Sequence, residues 1–373
     1  MSKIGGMQRV GIDMLQHLRS RGDIEVSELL LRTPRGKEAW YLVPFLLRSY
    51  FEIRRRMAAG EVDAVLFSAM PSAVLASVLA GPARRTGVAL MAISHGHDVI
   101  ADFAPYQWLV RRVMARLDAM LPVSRSTGQQ CIDRGLDPQR LFVTPNGIDP
   151  DRFGTTFPGV AAKRPARRKL LEQHFPQLAA VTDEADLLLC SVGRQVRRKG
   201  HAWFIREVMP GTPANVHLVL GGTGPEAASI AEATRLAGLA GRVHALGMVP
   251  EEKLALLYSA CDLFVMPNIP LAGDMEGFGV VMLEAGLCGM PSIGTRIEGI
   301  ADVISDGKNG FGIEPLDADG FVSTISRFAA KRSRLDALSV SARAHTLKTF
   351  GWSEIAGRVA DTVRLVVNRK RQG

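Results

Sequence analysis

Cysteine is scarce: 373 residues hold four, Cys131, Cys190, Cys261 and Cys288. No pair has C-x-x-C or metal-ligand spacing, so neither a disulfide framework nor a zinc module is expected, and each thiol reads as reduced core. Aromatic residues make up only 6% and no basic run is interleaved with them. That removes the usual signature of nucleic-acid binding. The opening MSKIGGMQRV lacks the apolar run of a secretory leader. Ala64 to Gly81 carries no charge over 18 residues, nearly the length of a membrane span. Pro71 interrupts it and its first half is strand-like, so a buried strand, a turn and a buried helix are expected instead. No low-complexity tract and no internal repeat is present.

Charge is abundant but uneven. The net +9 arises early: residues 1–150 hold 19 Lys/Arg against 14 Asp/Glu, residues 151–180 hold 6 against 2, and residues 181–373 hold 21 of each. A basic first half suits an anionic membrane surface or a phosphate-bearing substrate, and equally a solvated face. The segment YLVPFLLRSYFEIRRRMAAG (41–60) mixes apolar residues with Arg48, Arg54, Arg55 and Arg56. Its apolar face can pack on the domain, the favoured reading, or lie on a bilayer.

Short apolar runs alternate with helix-length segments. Strands are expected at 62–68, 88–94, 119–124, 140–145, 186–193, 216–222, 242–247, 261–267 and 291–295, with helices at 125–135, 200–209, 225–238, 251–260 and 279–288. Continuous apolar strands separated by helices predict parallel sheets covered on both faces. Ligands then bind at the C-terminal strand ends. The fold class expected is α/β. Residues 1–153 form the first domain, 154–183 a linker with one short helix, and 184–350 the second domain. The amphipathic tail 351–373 has no strand to pair with.

The stretch GDMEGFGVVMLEAGLCGMPSIG (273–294) carries the sharpest signal. Glycines around Glu276 let a ligand approach the backbone, and a helix starting near Gly279 offers N–H groups and a positive dipole end. Glu284 lies among apolar residues and needs partners there. Eight helical residues rise about 12 Å, too far for the roughly 5–9.5 Å carboxylate pair of a glycosidase. Such spacing suits a long ligand with hydroxyls at both ends and a diphosphate between. In SVGRQVRRKGHAWF, Arg194 and Lys199 follow a strand end, where cations can neutralise a diphosphate. The turn in LVLGGTGPE fails as a dinucleotide fingerprint, since G-x-G-x-x-G is not matched. DAD at 317–319 is read as a loop, not as a metal motif.

These motifs occur in a familiar order. Arg194 with Lys199, GGTGPE, LGMVPEEKLALLYSACDLFVMP, Glu276 with Glu284, GMPSIGT and DGKNGF together resemble the retaining glycosyltransferases of family 4. IGGMQRV, SHGHD and PNGIDPDRF extend the likeness more loosely into the first half. The resemblance implies the GT-B fold, two Rossmann-like domains facing a cleft, with the tail helix 351–373 returning to the first domain. It implies transfer from a nucleotide-diphosphate sugar to a glycan or lipid-linked acceptor in cell-envelope or polysaccharide synthesis, with retention of configuration. Glu276 would contact the donor sugar with the backbone of Gly277, Phe278 and Gly279. Glu284 would hold the ribose, Arg194 and Lys199 the diphosphate, Gly5 and Gly6 the phosphate side of the N-terminal loop, and His95 the sugar. No metal and no cofactor is expected, and the implied place is the cytoplasm, including the inner face of the membrane. Two rivals share the fold: a sugar-nucleotide epimerase or hydrolase, and a degenerate binding-only homologue.

The chain departs from the family in three places. Only four residues precede Gly5, so the first strand of the N-terminal domain is expected to be missing. The loop from Asn268 to Glu276 is long. The family's Gly-Gly-x-x-Glu run is here EGIAD, with Glu298 in place of a glycine and Asp302 in place of the glutamate.

Overall fold

Strands of four to six residues, almost all buried on both faces, can be covered only if helices pack on either side of a parallel sheet. The computed structural model, which describes residues 6–31, 33, 38–153, 163–178, 181 and 185–372, contains two such sheets. Each lies in its own compact unit. The first unit is Met1–Gly147 with Trp352–Gly373, and the second is Ile148–Gly351.

In the first unit, β1 (Ala64–Phe67), β2 (Ala89–Ser94) and β3 (Ala119–Pro122) pair in parallel in that order. The described residues begin with the helix Gly6–Arg19. The uncharged stretch is β1 followed by the helices Met70–Ala73 and Ala76–Thr86. The run 140–145, expected as a strand, forms only a bridge from Leu141 to Met120. Phe142 N–H and Thr144 N–H donate to the carbonyls of Met120 and Pro122. Pro122 has no N–H to return, so the ladder stays half-made.

The tail helix Trp352–Gln372 belongs to this unit. Trp352, 1% exposed, stacks on His17 with ring centroids 5.9 Å apart. Farther along, Lys370 pairs with Asp118 at 2.6 Å and Arg371 with Asp63 at 2.5 Å, while Arg364 bonds Asp23.

The second unit holds β4 (Leu187–Val192), β5 (Val216–Gly221), β6 (Val243–Gly247), β7 (Leu263–Met266), β8 (Ser292–Thr295) and β9 (Gly310–Ile313). Their order is β6-β5-β4-β7-β8-β9, all parallel. Strand β9 was not expected. Two of its four residues are glycine, a weak strand signal, yet a side chain at Gly310 would meet the Ser292 carbonyl at 1.9 Å. Only glycine lets the two strands lie that close.

The helix expected at 200–209 is one turn of α-helix, His201–Trp203, followed by a π-turn at Phe204–Val208 and a 3-10 turn at Met209–Gly211. Pro210 lacks the N–H that a continuing helix needs. The segment expected as a linker contains the helix Lys163–His174, which packs on the helix Glu251–Ala260 of the second unit. Its Arg167 reaches Asp262 at 3.2 Å, and Arg332 reaches the other oxygen at 3.0 Å. Residues 148–153, counted with the first domain from sequence, fall in the second unit. All four cysteines are buried and none forms a disulfide.

Asp262 also accepts Leu188 N–H at 2.8 Å, so one carboxylate with a side-chain exposure of 9% joins the helix Lys163–His174 and Arg332 to β4. Asp262→Asn leaves two buried guanidinium groups without a counter-charge. Thermal unfolding should show a loss of about 3–5 kcal/mol. A midpoint equal to wild type would mean that the network is solvated.

Candidate active site

The order of the second sheet reverses at β4. The chain leaves β4 for β5 and β6 on one side and returns to β7 on the other. In an open parallel sheet the loops after such strands flank the binding crevice. The loops in question are 193–200 after β4 and 267–279 after β7.

The two loops are locked together by backbone. Gly200 has φ +66, and a side chain there would strike the Pro267 carbonyl at 2.0 Å. Ile269 N–H donates to the Arg198 carbonyl at 2.9 Å. This close seam carries Lys199 onto Glu276, with Nζ and Oε2 2.6 Å apart. Both side chains are nearly buried, at 10% and 13% exposure. Arg198 lies 3.5 Å from the same oxygen and 3.4 Å from Asp274. Burial alone pushes the Glu276 carboxyl up, but the charges of Lys199 and Arg198 and the Lys199 hydrogen bond hold it below its ordinary value. The Asn268 amide faces the same carboxylate and adds a weaker pull without reaching full hydrogen-bond geometry. Behind Lys199, burial and the lysine charge push the His201 imidazole down to about 3. That ring stays neutral and bonds the Ser191 hydroxyl at 3.0 Å.

The backbone around Glu276 is equally constrained. Its N–H donates to the Glu298 carboxylate at 2.5 Å, and its carbonyl accepts Gly299 N–H at 3.1 Å. Burial and the neighbouring acids Glu276 and Asp274 push the Glu298 carboxyl up, against the Glu276 N–H and Arg198. Gly277 approaches Gly299 so closely that a side chain on Gly299 would meet the Gly277 carbonyl at 2.2 Å. Phe278 points into the core, edge-on to Phe350 at 5.9 Å, so only its backbone can face a ligand. Gly279, at φ +87, opens the helix Val280–Leu287, whose start has no side-chain cap. The first-turn N–H groups there are suited to an anion. Only eight residues from Val280 are helical, so the 12 Å rise expected from Glu276 to Glu284 does not apply to the loop half of that span.

Glu284 is held apart from this cluster. One of its oxygens accepts from Arg152 at 2.5 Å and the other from the Tyr258 hydroxyl at 3.2 Å. Burial, then the Glu284 charge, raises the Tyr258 hydroxyl well above its ordinary pKa, so it remains a donor. Arg194 is exposed in the turn after β4, and the structure shows no bond from it to Glu276. That turn is itself rigid. Gln195 bonds both the Gly222 carbonyl, at 3.0 Å, and Thr223.

In the first unit, His95 follows β2. Its Nε2 lies 2.9 Å from the Ser68 carbonyl. A carbonyl only accepts, so Nε2 carries a proton. Asp98 ties the loop, accepting His95 N–H at 2.7 Å and Met70 N–H at 3.1 Å. Gly6 opens the first described helix. Gly5 lies outside the described residues. Among the described residues no group of three or more His, Cys, Asp or Glu could hold a metal ion.

Two family models match the chain: Glycosyltransferase Family 4 over residues 4–152 and Glycosyl transferases group 1 over residues 186–331. The chain belongs to this family of glycosyltransferases, and its two parallel-sheet units are those of the GT-B fold. Among curated relatives it is similar to a GDP-mannose-dependent alpha-(1-6)-phosphatidylinositol monomannoside mannosyltransferase of Mycolicibacterium smegmatis, 29% identical over 83% of this chain and 78% of the relative. It is also similar to a D-inositol 3-phosphate glycosyltransferase of Xylanimonas cellulosilytica, 28% identical over 69% of this chain and 60% of that protein. In structure it matches Anabaena Alr3699/HepE, solved in complex with UDP, with TM-score 0.71, 18% identity and 98% of each chain covered.

An anionic ligand would have to compete with Glu276 for Lys199. Glu276→Gln removes the competing charge. By calorimetry with GDP, UDP and ADP, the variant should bind the preferred nucleoside diphosphate at least as tightly as wild type. A loss beyond about threefold, roughly 0.7 kcal/mol, would contradict the competition.

Proposed function

We propose that the chain is a retaining glycosyltransferase that works without a metal ion and moves a sugar from a nucleotide-diphosphate donor to a lipid-linked or glycan acceptor. One observation carries this reading: Arg198, Lys199 and Glu276 meet at the β4/β7 switch point, beside the uncapped start of the helix that bears Glu284. Cations at that place suit a diphosphate, Glu284 suits the ribose diol, and Glu276 suits sugar hydroxyls. The relatives' names favour GDP-mannose as donor and a mannosylated phosphatidylinositol as acceptor.

In the reaction, the bond from the anomeric carbon to the β-phosphate oxygen breaks while the acceptor oxygen bonds to the same face of that carbon. The acceptor's proton passes to the leaving phosphate. Lys199 and Arg194 stabilise the charge that gathers there, and Glu276 orients the sugar. GDP-mannose, UDP-glucose and ADP-glucose should be offered with phosphatidylinositol monomannoside in EDTA. The account expects one donor to give an α-linked product, read from the anomeric carbon–hydrogen coupling. A β-linked product, an epimerised donor, or activity that returns only with manganese would overturn it.

We also place the enzyme at an anionic membrane surface. Among the described residues no helix is long and apolar enough to cross a membrane. The helix Glu38–Ala58 buries Ser49, Ile53 and Met57, yet Trp40, Val43, Leu47 and Phe51 on its other side are 57–83% exposed. Arg48, Arg54 and Arg55 flank that stripe and are exposed. An apolar band with arginines beside it matches the headgroup boundary of an acidic bilayer. Trp40→Ser with Phe51→Ser should cut cosedimentation with phosphatidylserine-containing vesicles by about tenfold, some 1.4 kcal/mol. Unchanged cosedimentation would refute the surface.

A further inference from the structure

The residue in the family's glycine position is built into the site. Glu298 has φ +50, a left-handed conformation that is strained for a residue with a side chain. Glycine would adopt it without cost. The chain holds a half-buried glutamate there, among Asp274, Glu276 and Arg198. Strain of this kind persists only where surrounding contacts over-determine it.

Those contacts all meet one peptide. The Glu298 carboxylate accepts the Glu276 N–H at 2.5 Å, and the next residue, Gly299, donates to the Glu276 carbonyl at 3.1 Å. Consecutive residues of the β8 turn therefore grip both polar groups of the Glu276 backbone. Phe278 in the core and the Arg198–Asp274 pair also hold the end of the loop 267–279, but neither bonds the Glu276 peptide, and the direction of the Glu276 carboxylate toward Lys199 follows from its backbone.

We propose that Glu298 is a positioning residue for the sugar end of the donor site, holding the Glu276 peptide by a side-chain acceptor. This inference rests on the reading of Glu276 as the donor-sugar contact. The demand is for an oxygen acceptor rather than for charge, so glutamine should replace glutamate and neither alanine nor glycine should. Glycine relieves the strain but supplies no acceptor, which separates positioning from backbone comfort.

Glu298→Gln, Glu298→Ala, Glu298→Gly and Glu276→Ala should be compared by hydrogen exchange and by GDP release from GDP-mannose, UDP release from UDP-glucose and ADP release from ADP-glucose. Exchange of the Glu276 amide should quicken by about tenfold or more in the Ala and Gly variants and stay near wild type in Gln. With the donor that turns over, kcat should fall at least about tenfold in Ala and Gly with KM little changed, and Gln should recover most of it. Unchanged exchange at Glu276 in the Gly variant would overturn the inference whatever the donor. So would wild-type kcat in the Gly variant alongside a dead Glu276→Ala. Full activity in Glu276→Ala would instead sink the underlying reading of Glu276.

Discussion

Two opposite charges, Lys199 and Glu276, are buried against each other where the loops after β4 and β7 meet. Taking both from water is costly, and their attraction offsets that cost only with good geometry and further partners. The surrounding structure supplies both. Gly200 lets the two loops touch, Arg198 adds a second cation, and Glu298 with Gly299 fixes the Glu276 backbone. Under the proposed function the lysine would meet the diphosphate and the carboxylate the sugar hydroxyls, so protein and donor would share the pair.

Glu284 is a second buried carboxylate held by a cation. It accepts from Arg152 and from Tyr258. Arg152 belongs to the PNGIDPDRF segment, whose residues from Ile148 onward fall in the second unit. Whatever binds Glu284 there must share it with a cation from the start of that unit. The tail helix is fixed differently, by Trp352 and by ion pairs at Asp23, Asp63 and Asp118 within the first unit.

Much of this was legible in the sequence. Eight of the nine strands among the described residues follow from apolar runs, because parallel strands buried on both faces leave a continuous pattern. The run 140–145 misled because a proline on its neighbour, not its own sequence, breaks the ladder, and β9 was hidden by its glycines. Glu276 and Lys199 stood out as charges beside glycines in loops after strands, and Glu284 as a carboxylate among apolar helical residues. Arg198, Arg152 and Tyr258 did not. Arg198 looked like one more surface arginine, and Arg152 lies 132 residues from Glu284, a pairing that no local pattern announces. Glu298 was visible only as a departure from the family's glycine. Its role needed the left-handed backbone and the bond to Glu276. The helix Glu38–Ala58 was expected to pack its apolar face inward; it does so with Ile53 and Met57, and keeps a second apolar stripe outside.

The central claim is that Lys199 holds the donor's diphosphate from within this ion pair. The most direct measurement is the thermal midpoint of wild type and Lys199→Ala against GDP-, UDP- and ADP-sugars. At a hundred times its dissociation constant a ligand adds about 2.7 kcal/mol to stability, so wild type should shift by several degrees with one nucleotide series. Lys199→Ala should lose most of that shift at the same concentration. An equal shift in both proteins, or none in wild type with any series, would contradict the account.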